Sequence, residues 1–148
     1  MTSENEILTK ARERASEMGL SYEGALSPHE AHALLQQSGA RLVDVRSRAE
    51  LDFVGRSPGS VEIEWKSYPG MLPNSNFVQQ LTQQVPTDAR VMFICRSGGR
   101  SHEAALAARQ AGYKAYNVLE GFEGDRDPSG HRNTIGGWRA ARLPWTQS

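Results

Sequence analysis

VMFICRSGGRS, residues 91–101, places the one cysteine of the chain between an apolar run and a pair of glycines. An alanine-rich stretch, residues 102–111, follows this segment. The order predicts a buried strand, a tight turn and a helix, with Cys95 in the turn. A thiol at that point meets a helix N-terminus, free backbone N–H groups and two arginines, all of which favour an anion. We therefore predict that Cys95 is a nucleophile and not a core side chain.

Strand-like and helical segments alternate along the rest of the chain. The candidate strands are residues 41–45, 61–65, 91–94 and 115–119, and the candidate helices are residues 4–18, 28–38, 47–51, 76–85 and 102–111. This alternation predicts an α/β fold with a central parallel sheet of about five strands, flanked by helices on both faces. Binding sites in such sheets form beyond the carboxyl ends of the strands, where Cys95 is expected. We expect residues 1–20 to form an N-terminal helical extension and residues 21–148 to form the domain.

Composition narrows the range of partners. Seventeen basic and seventeen acidic side chains balance, so no net charge favours nucleic acid or a membrane surface. The acidic start and the absence of an apolar run of about 20 residues predict neither a leader nor a membrane helix, which favours the cytoplasm. A lone cysteine suits a reducing compartment. The four histidines, at positions 29, 32, 102 and 131, have no metal-ligand spacing, so we expect no metal and no cofactor.

The length of the cysteine loop separates two chemistries. Cys95 and Arg100 enclose four residues, whereas cysteine phosphatases use a loop with five, which encloses a tetrahedral phosphoryl group. The shorter loop suits a single sulfur atom added to a thiolate. Ile94 also stands where tyrosine phosphatases carry histidine. A phosphatase or arsenate reductase is therefore the less favoured alternative.

Several ordered motifs resemble those of one family. The loop Cys95–Ser101 resembles the active loop of rhodanese-type sulfurtransferases, of the single-domain, thiosulfate sulfurtransferase type. The likeness extends along the chain through LSPHEA with LL at residues 26–35, DVR with Glu50 at residues 44–50, PGSV at residues 58–61, and GW with LPW at residues 137–145. The resemblance implies the rhodanese-like α/β fold. It covers nearly the whole chain except residues 1–20.

The resemblance also implies a reaction. Cys95 would take a sulfane sulfur from thiosulfate or a persulfide donor and pass it to a thiol or cyanide acceptor, or to a sulfur-relay protein. The backbone amides of the loop would hold the persulfide and its donor; the residues concerned are Arg96, Ser97, Gly98, Gly99 and Arg100. We favour Arg96 for contact with the donor, because the final arginine of the family's loop often points inward and braces it.

Further residues are expected to support the loop. Asp44 is predicted to hydrogen-bond it from the neighbouring strand, with Arg46 as the ion-pair partner of Asp44, and Ser101 is predicted to support its far end. Residues 122–136 form an apparent insertion, which we expect either to line the pocket and influence the acceptor or to be a solvated loop. A non-catalytic rhodanese-like binding module remains the main alternative to an enzyme.

Overall fold

A central sheet of five parallel strands forms the body of the protein. The computed structural model describes residues 3–37 and 39–147. The strands are β1 (Gly24–Leu26), β2 (Arg41–Asp44), β3 (Val61–Glu62), β6 (Arg90–Ile94) and β7 (Lys114–Val118), in the order β1-β7-β6-β2-β3. Two further short strands, β4 (Lys66–Ser67) and β5 (Leu72–Pro73), form an antiparallel hairpin outside the sheet. The predicted α/β fold with a five-stranded parallel sheet is confirmed.

Helices cover both faces of the sheet. Within the described residues they are α1 (Glu4–Glu17), α2 (Pro28–Gln37), α3 (Arg48–Val54), α4 (Phe77–Gln84) and α5 (Gly99–Gln110). The alternation of β6 shows the two faces, since Met92 and Ile94 pack with α1 and α2, whereas Val91 and Phe93 pack with α4 and α5. A strand buried on both sides needs apolar residues at every position, which explains the uninterrupted run before Cys95.

The N-terminal helix is built into the core. Ile7, Leu8 and Ala11 of α1 are buried in the cluster that covers one face of the sheet. Arg14 extends this contact, because its guanidinium donates to Ala25 O at 2.6 Å and pairs with Glu30 of α2 at 2.9 Å. Helix α1 therefore packs against the domain that we expected it to precede. Residues 1 and 2 of the predicted extension, and residues 38 and 148 of the predicted domain, lie outside the described residues.

Local details differ from the sequence-based prediction. The predicted single turn at residues 47–51 is a helix that continues to Val54, and its N-terminus carries a capping box between Ser47 and Glu50. Strand β1 and the β4–β5 hairpin were not predicted. Residues 122–136 contain neither helix nor strand. In the part of the chain that the structure describes, no helix is both long enough and apolar enough to cross a bilayer.

Candidate active site

Cys95 lies directly after β6, at the carboxyl edge of the sheet. Its side chain is almost completely enclosed, with 1% of the residue exposed. The backbone N–H of Gly98 donates to the sulfur at 3.1 Å, and the Ser101 hydroxyl lies 3.3 Å from it. Gly98 and Ser101 of the loop thus contact the thiol, but Cys95 also belongs to the buried apolar cluster on the α4–α5 face of the sheet, so the expectation that it is not a core side chain is wrong. A sulfur with these two neighbours is held in one orientation beneath its loop.

The loop is shaped as an anion cradle. Gly98 precedes α5 in the left-handed conformation, with φ 117°, which favours glycine. The first N–H groups of a helix have no acceptor within the helix. In α5 the first hydrogen bond of the helical pattern runs from the His102 N–H to Gly98 O, at 3.1 Å. The N–H groups of Gly99 and Arg100 thus start a helix of 12 residues with no helical acceptor. Donors and the helix dipole together favour negative charge in this loop.

Asn117 of β7 is a site residue that sequence analysis missed. Its Oδ1 accepts a hydrogen bond from the Ser101 hydroxyl, and its Nδ2 donates to Gly98 O at 3.3 Å. Asn117 therefore ties the start of α5 to the floor of the loop and fixes the hydroxyl beside the sulfur. The sequence did contain a signal, since Asn117 is the one amide in a mostly apolar strand. A buried amide needs hydrogen-bond partners, so its presence there indicates polar groups nearby.

A second contact anchors the start of α5 from the N-terminal side. The Tyr22 hydroxyl and Nδ1 of His102 are 2.8 Å apart, and Tyr22 is buried. Burial raises the pKa of Tyr22 above its ordinary value, and a hydrogen bond with the Asn117 side chain partly offsets that rise. Tyr22 therefore stays protonated at neutral pH. His102 serves to hold α5 against the chain before β1.

The insertion supports the loop from behind. The N–H of Phe122 donates to Cys95 O at 2.8 Å, and those of Glu123 and Gly124 donate to Arg96 O at 3.0 and 3.2 Å. These bonds fix the backbone of Cys95 and Arg96. Of the two alternatives for this segment, a pocket wall or a solvated loop, the first does not hold for the pocket beside Arg96, because other elements line that pocket.

The two loop arginines have different surroundings. Arg100 forms a two-pronged ion pair with Glu50 of α3, with distances of 2.6 and 2.9 Å. Burial alone would lower the pKa of Arg100, but the hydrogen bonds and charge of Glu50 raise it overall. Arg96 is exposed, and no carboxylate among residues 3–37 and 39–147 pairs with it. Arg100 thus braces the loop against α3, and Arg96 is the cation available to a ligand.

Asp44 and Arg46 form a fully buried ion pair. Both side chains have no exposed surface, and Nη2 of Arg46 lies 2.7 Å from Oδ2 of Asp44. The same Nη2 donates to Gly55 O at 2.8 Å, and the guanidinium lies over the Phe122 ring, 4.1 Å from its centroid. The pairing matches the prediction, but the predicted bond from Asp44 to the loop is wrong. The carboxylate oxygens accept from Arg46, so the pair acts on the loop through Phe122.

A pocket of about 600 Å³ lies beside the loop. Arg96 and Arg100 line one side of it. Helix α3 supplies another wall through Phe53 and Val54, and the β4–β5 hairpin supplies the third through Tyr68 and Met71. The polar loop and the apolar walls thus share one opening.

Replacement of Glu50 by glutamine is expected to destabilise the protein in a pH-dependent way. Burial raises the pKa of Glu50, but hydrogen bonds and charge from Arg100 lower it overall, below the ordinary 4.5. The carboxylate thus contributes stability above pH 4.5, and this contribution is lost as pH falls through the lower, folded value. Glu50→Gln should cost about 2 kcal/mol at neutral pH.

Urea unfolding at a series of pH values tests this expectation. The gap between the native protein and Glu50→Gln should shrink as pH falls below 4.5, because the Glu50 carboxylate of the unfolded chain is protonated first and that of the folded protein only at lower pH. Glu103→Gln, on the exposed side of α5, is the matched control and should stay within about 0.5 kcal/mol of native. A gap that stays constant into acid would contradict the role of this ion pair.

Comparisons with known proteins agree with the geometry. The family described as Rhodanese-like domain matches residues 27–126. An uncharacterized protein of Rickettsia conorii is 33% identical over 118 residues, a match that covers 76% of this chain and 87% of that protein. The crystal structure of Rv0390 from M. tuberculosis is 43% identical, has a TM-score of 0.79 and covers 86% of this chain and 100% of that one. The polysulfide-sulfur transferase homodimer of Wolinella succinogenes, 23% identical, shares the fold with a TM-score of 0.57, over 84% of this chain and 78% of that one.

Proposed function

The chain belongs to the family of rhodanese-like domains, and from that premise we propose that it is a sulfurtransferase of the thiosulfate sulfurtransferase type. It moves a sulfane sulfur from thiosulfate or a persulfide donor to a thiophilic acceptor. The observation that carries this proposal is the enclosed sulfur of Cys95, to which the Gly98 N–H donates at 3.1 Å at the start of α5. We place the reaction in a reducing compartment such as the cytoplasm, where a lone thiol stays free.

The first step loads the sulfur. The Cys95 thiolate attacks the outer sulfur of thiosulfate, a new S–S bond forms, and the S–S bond of the donor breaks to release sulfite. The negative charge moves from Sγ to the outer sulfur of the persulfide. We expect the Gly98 N–H and the N–H groups at the start of α5 to stabilise that charge without reorganisation, as preorganised donors stabilise anions in other active sites. Arg96, with no carboxylate partner among the described residues, attracts the anionic donor.

The second step unloads it. An acceptor thiolate or cyanide attacks the outer sulfur, and Cys95 leaves as a thiolate with the electron pair of the broken bond. The chain contains no second cysteine, so the persulfide cannot resolve into an internal disulfide. The sulfur therefore passes to another molecule, which is a small thiol, cyanide in an assay, or a sulfur-relay protein.

Intact mass spectrometry after incubation with thiosulfate tests the proposal. The native protein should gain the mass of one sulfur atom, lose it on addition of cyanide, and release thiocyanate. Cys95→Ala should show none of these changes, and its folding is checked by thermal unfolding. Absence of both the mass gain and thiocyanate in the native protein would overturn the proposal.

The same samples separate the rival functions. Hydrolysis of a generic phosphoester that is lost in Cys95→Ser would instead support a phosphatase. A folded native protein that forms no persulfide with thiosulfate or with an organic persulfide would support a binding module. The transferase is the outcome that we expect.

A further inference from the structure

We propose that the pocket formed by α3, the β4–β5 hairpin and Arg96 is the acceptor subsite, and that it takes a small organic thiol with an apolar, ring-sized body and an anionic group. This inference rests on the proposed sulfurtransferase function and specifies its acceptor. It concerns three residues that the reaction itself does not require, namely Phe53, Tyr68 and Met71.

The size of the pocket is the first argument. Thiosulfate has five atoms and cyanide has two, and either would fill only a small part of about 600 Å³. Pockets of roughly 300–1,000 Å³ are typical of sites for larger organic ligands. The loop alone suffices to hold the transferred sulfur. The remaining volume is therefore available for the body of an acceptor.

The chemistry of the walls is the second argument. Phe53 is 79% exposed, Tyr68 66% and Met71 41%, although all three are large apolar side chains. Single exposed apolar residues are common on protein surfaces, but here three of them face one opening from two different elements. An apolar ligand body between α3 and the hairpin would remove these surfaces from water.

The walls are held in place before any ligand binds. Helix α3 is fixed by its capping box at Ser47 and by the Glu50–Arg100 ion pair. The hairpin is fixed by Asn74, whose N–H donates to Trp65 O at 2.9 Å and whose side chain donates to Glu64 O at 2.7 Å. A preformed site loses less entropy on binding, so its apolar area contributes more to affinity.

The positive charge of Arg96 is the argument for an anionic group on the acceptor. The charge of Arg100 is matched by Glu50, but no described carboxylate pairs with Arg96. The pocket therefore offers one free guanidinium beside two apolar walls. A carboxylate or another anionic group on the acceptor would complement it.

The depth of the sulfur favours a small molecule over a folded protein. Cys95 is 1% exposed and only its loop, through Arg96 and Arg100, borders the pocket, so a cysteine fixed on a rigid protein surface would have little access to the sulfur. A small thiol can enter. Its thiol proton is lost to solvent, the thiolate attacks the outer sulfur, an S–S bond to the acceptor forms as the S–S bond to Cys95 breaks, and Cys95 is left as a thiolate.

The test measures single-turnover discharge of protein that carries the persulfide and has been freed of thiosulfate. Three acceptors are compared: β-phenylthiolactate, which has a ring and a carboxylate; thiolactate, which has only the carboxylate; and phenylethanethiol, which has only the ring. Each rate is expressed as the ratio of native protein to variant, because that ratio cancels the intrinsic reactivity of the thiol. Because the protein already carries the persulfide when the acceptor is added, an effect of a substitution on the reaction with the donor does not change the measured discharge rate.

Phe53→Ser should slow discharge to β-phenylthiolactate by about ten-fold, with a smaller effect on thiolactate and none on cyanide. Arg96→Gln should slow both carboxylates and spare phenylethanethiol. Ile135→Ser is the matched control, because Ile135 is 64% exposed and lies outside the pocket. It should leave all rates unchanged.

Equal native-to-Phe53→Ser ratios for all three thiols, with normal persulfide formation and normal discharge to cyanide, would overturn the subsite while leaving the proposed function intact. Failure of the native protein to form a persulfide would overturn both. If the natural acceptor is a protein, the three small thiols should show no preference, and the native-to-Phe53→Ser ratios should be equal.

Discussion

Asp44→Ala is expected to cost about 3–5 kcal/mol of unfolding free energy, a large part of the stability of a domain of this size. The reason is that Arg46 stays behind with no exposed surface and no counter-ion. Its Nη1 already lacks a partner among the described residues, so the Asp44 carboxylate is the acceptor for most of the guanidinium. Removal of one member of a buried pair costs far more than the pair itself contributes.

Denaturant unfolding measures this effect against a matched surface pair. Asp52 and Arg56 lie 2.7 Å apart, the same distance as the buried pair, but both side chains are partly exposed. Asp52→Ala should therefore cost at most about 1 kcal/mol. The double replacement of Asp44 by Leu and Arg46 by Met should recover most of the stability, which also tests the explanation if Asp44→Ala fails to fold. A cost for Asp44→Ala as small as that of Asp52→Ala would contradict the argument.

Gly121→Ala is expected to reduce persulfide formation by about 100-fold, because the loop backbone would have to move by roughly an ångström. A Cβ at position 121 would lie 2.5 Å from Cys95 O and 2.6 Å from Arg96 O. These are backbone atoms and cannot turn away as a flexible side chain would. The same movement would break the bond from Phe122 N–H to Cys95 O.

The control for this prediction separates overlap from backbone strain. Gly121 has φ 65° and Gly19 has φ 71°, so alanine is similarly strained at both positions. At Gly19, however, a Cβ meets nothing within 4 Å. Gly19→Ala should thus lose about 1 kcal/mol of stability and keep its rate of persulfide formation. Equal rates of persulfide formation for the two variants would show that the contact behind the loop does not position the thiol.

The sheet and the loop were predictable because their signals are local. The apolar run of β6, the glycine pair and the alanine-rich helix lie next to one another in the chain, so Cys95 could be placed at a sheet edge without tertiary information. Strand β1 gave no such signal, because it has only three residues and begins with a glycine. Gly24 is needed there because a Cβ would overlap the side chains of Tyr116 and Ala11, and that contact cannot be seen in the sequence. The β4–β5 hairpin has two-residue strands, too short to show a period of two.

The surroundings of the loop were less predictable, because they depend on distant packing. The pairing of Asp44 with Arg46 could be predicted from their spacing, but the orientation of the carboxylate away from the loop depends on Gly55 and Phe122. The insertion was correctly expected near Cys95. Which side of the loop it takes is decided by backbone hydrogen bonds that no side-chain pattern encodes.

The two ends of the insertion, residues 122–136, lie next to each other, so a second domain could be inserted within it. The backbone N–H of Trp138 donates to Gly121 O at 2.9 Å, and Gly124 lies so close to the backbone of Gly136 that a Cβ on Gly124 would overlap it. The chain therefore leaves and returns at one place, with residues 128–130 exposed at the far end. Because loop-closure entropy grows only slowly with length, a guest domain spliced in there would add little strain. A fluorescent guest in that position would be attached, through two short backbone paths, to the carbonyls of the residues that carry and surround the sulfur.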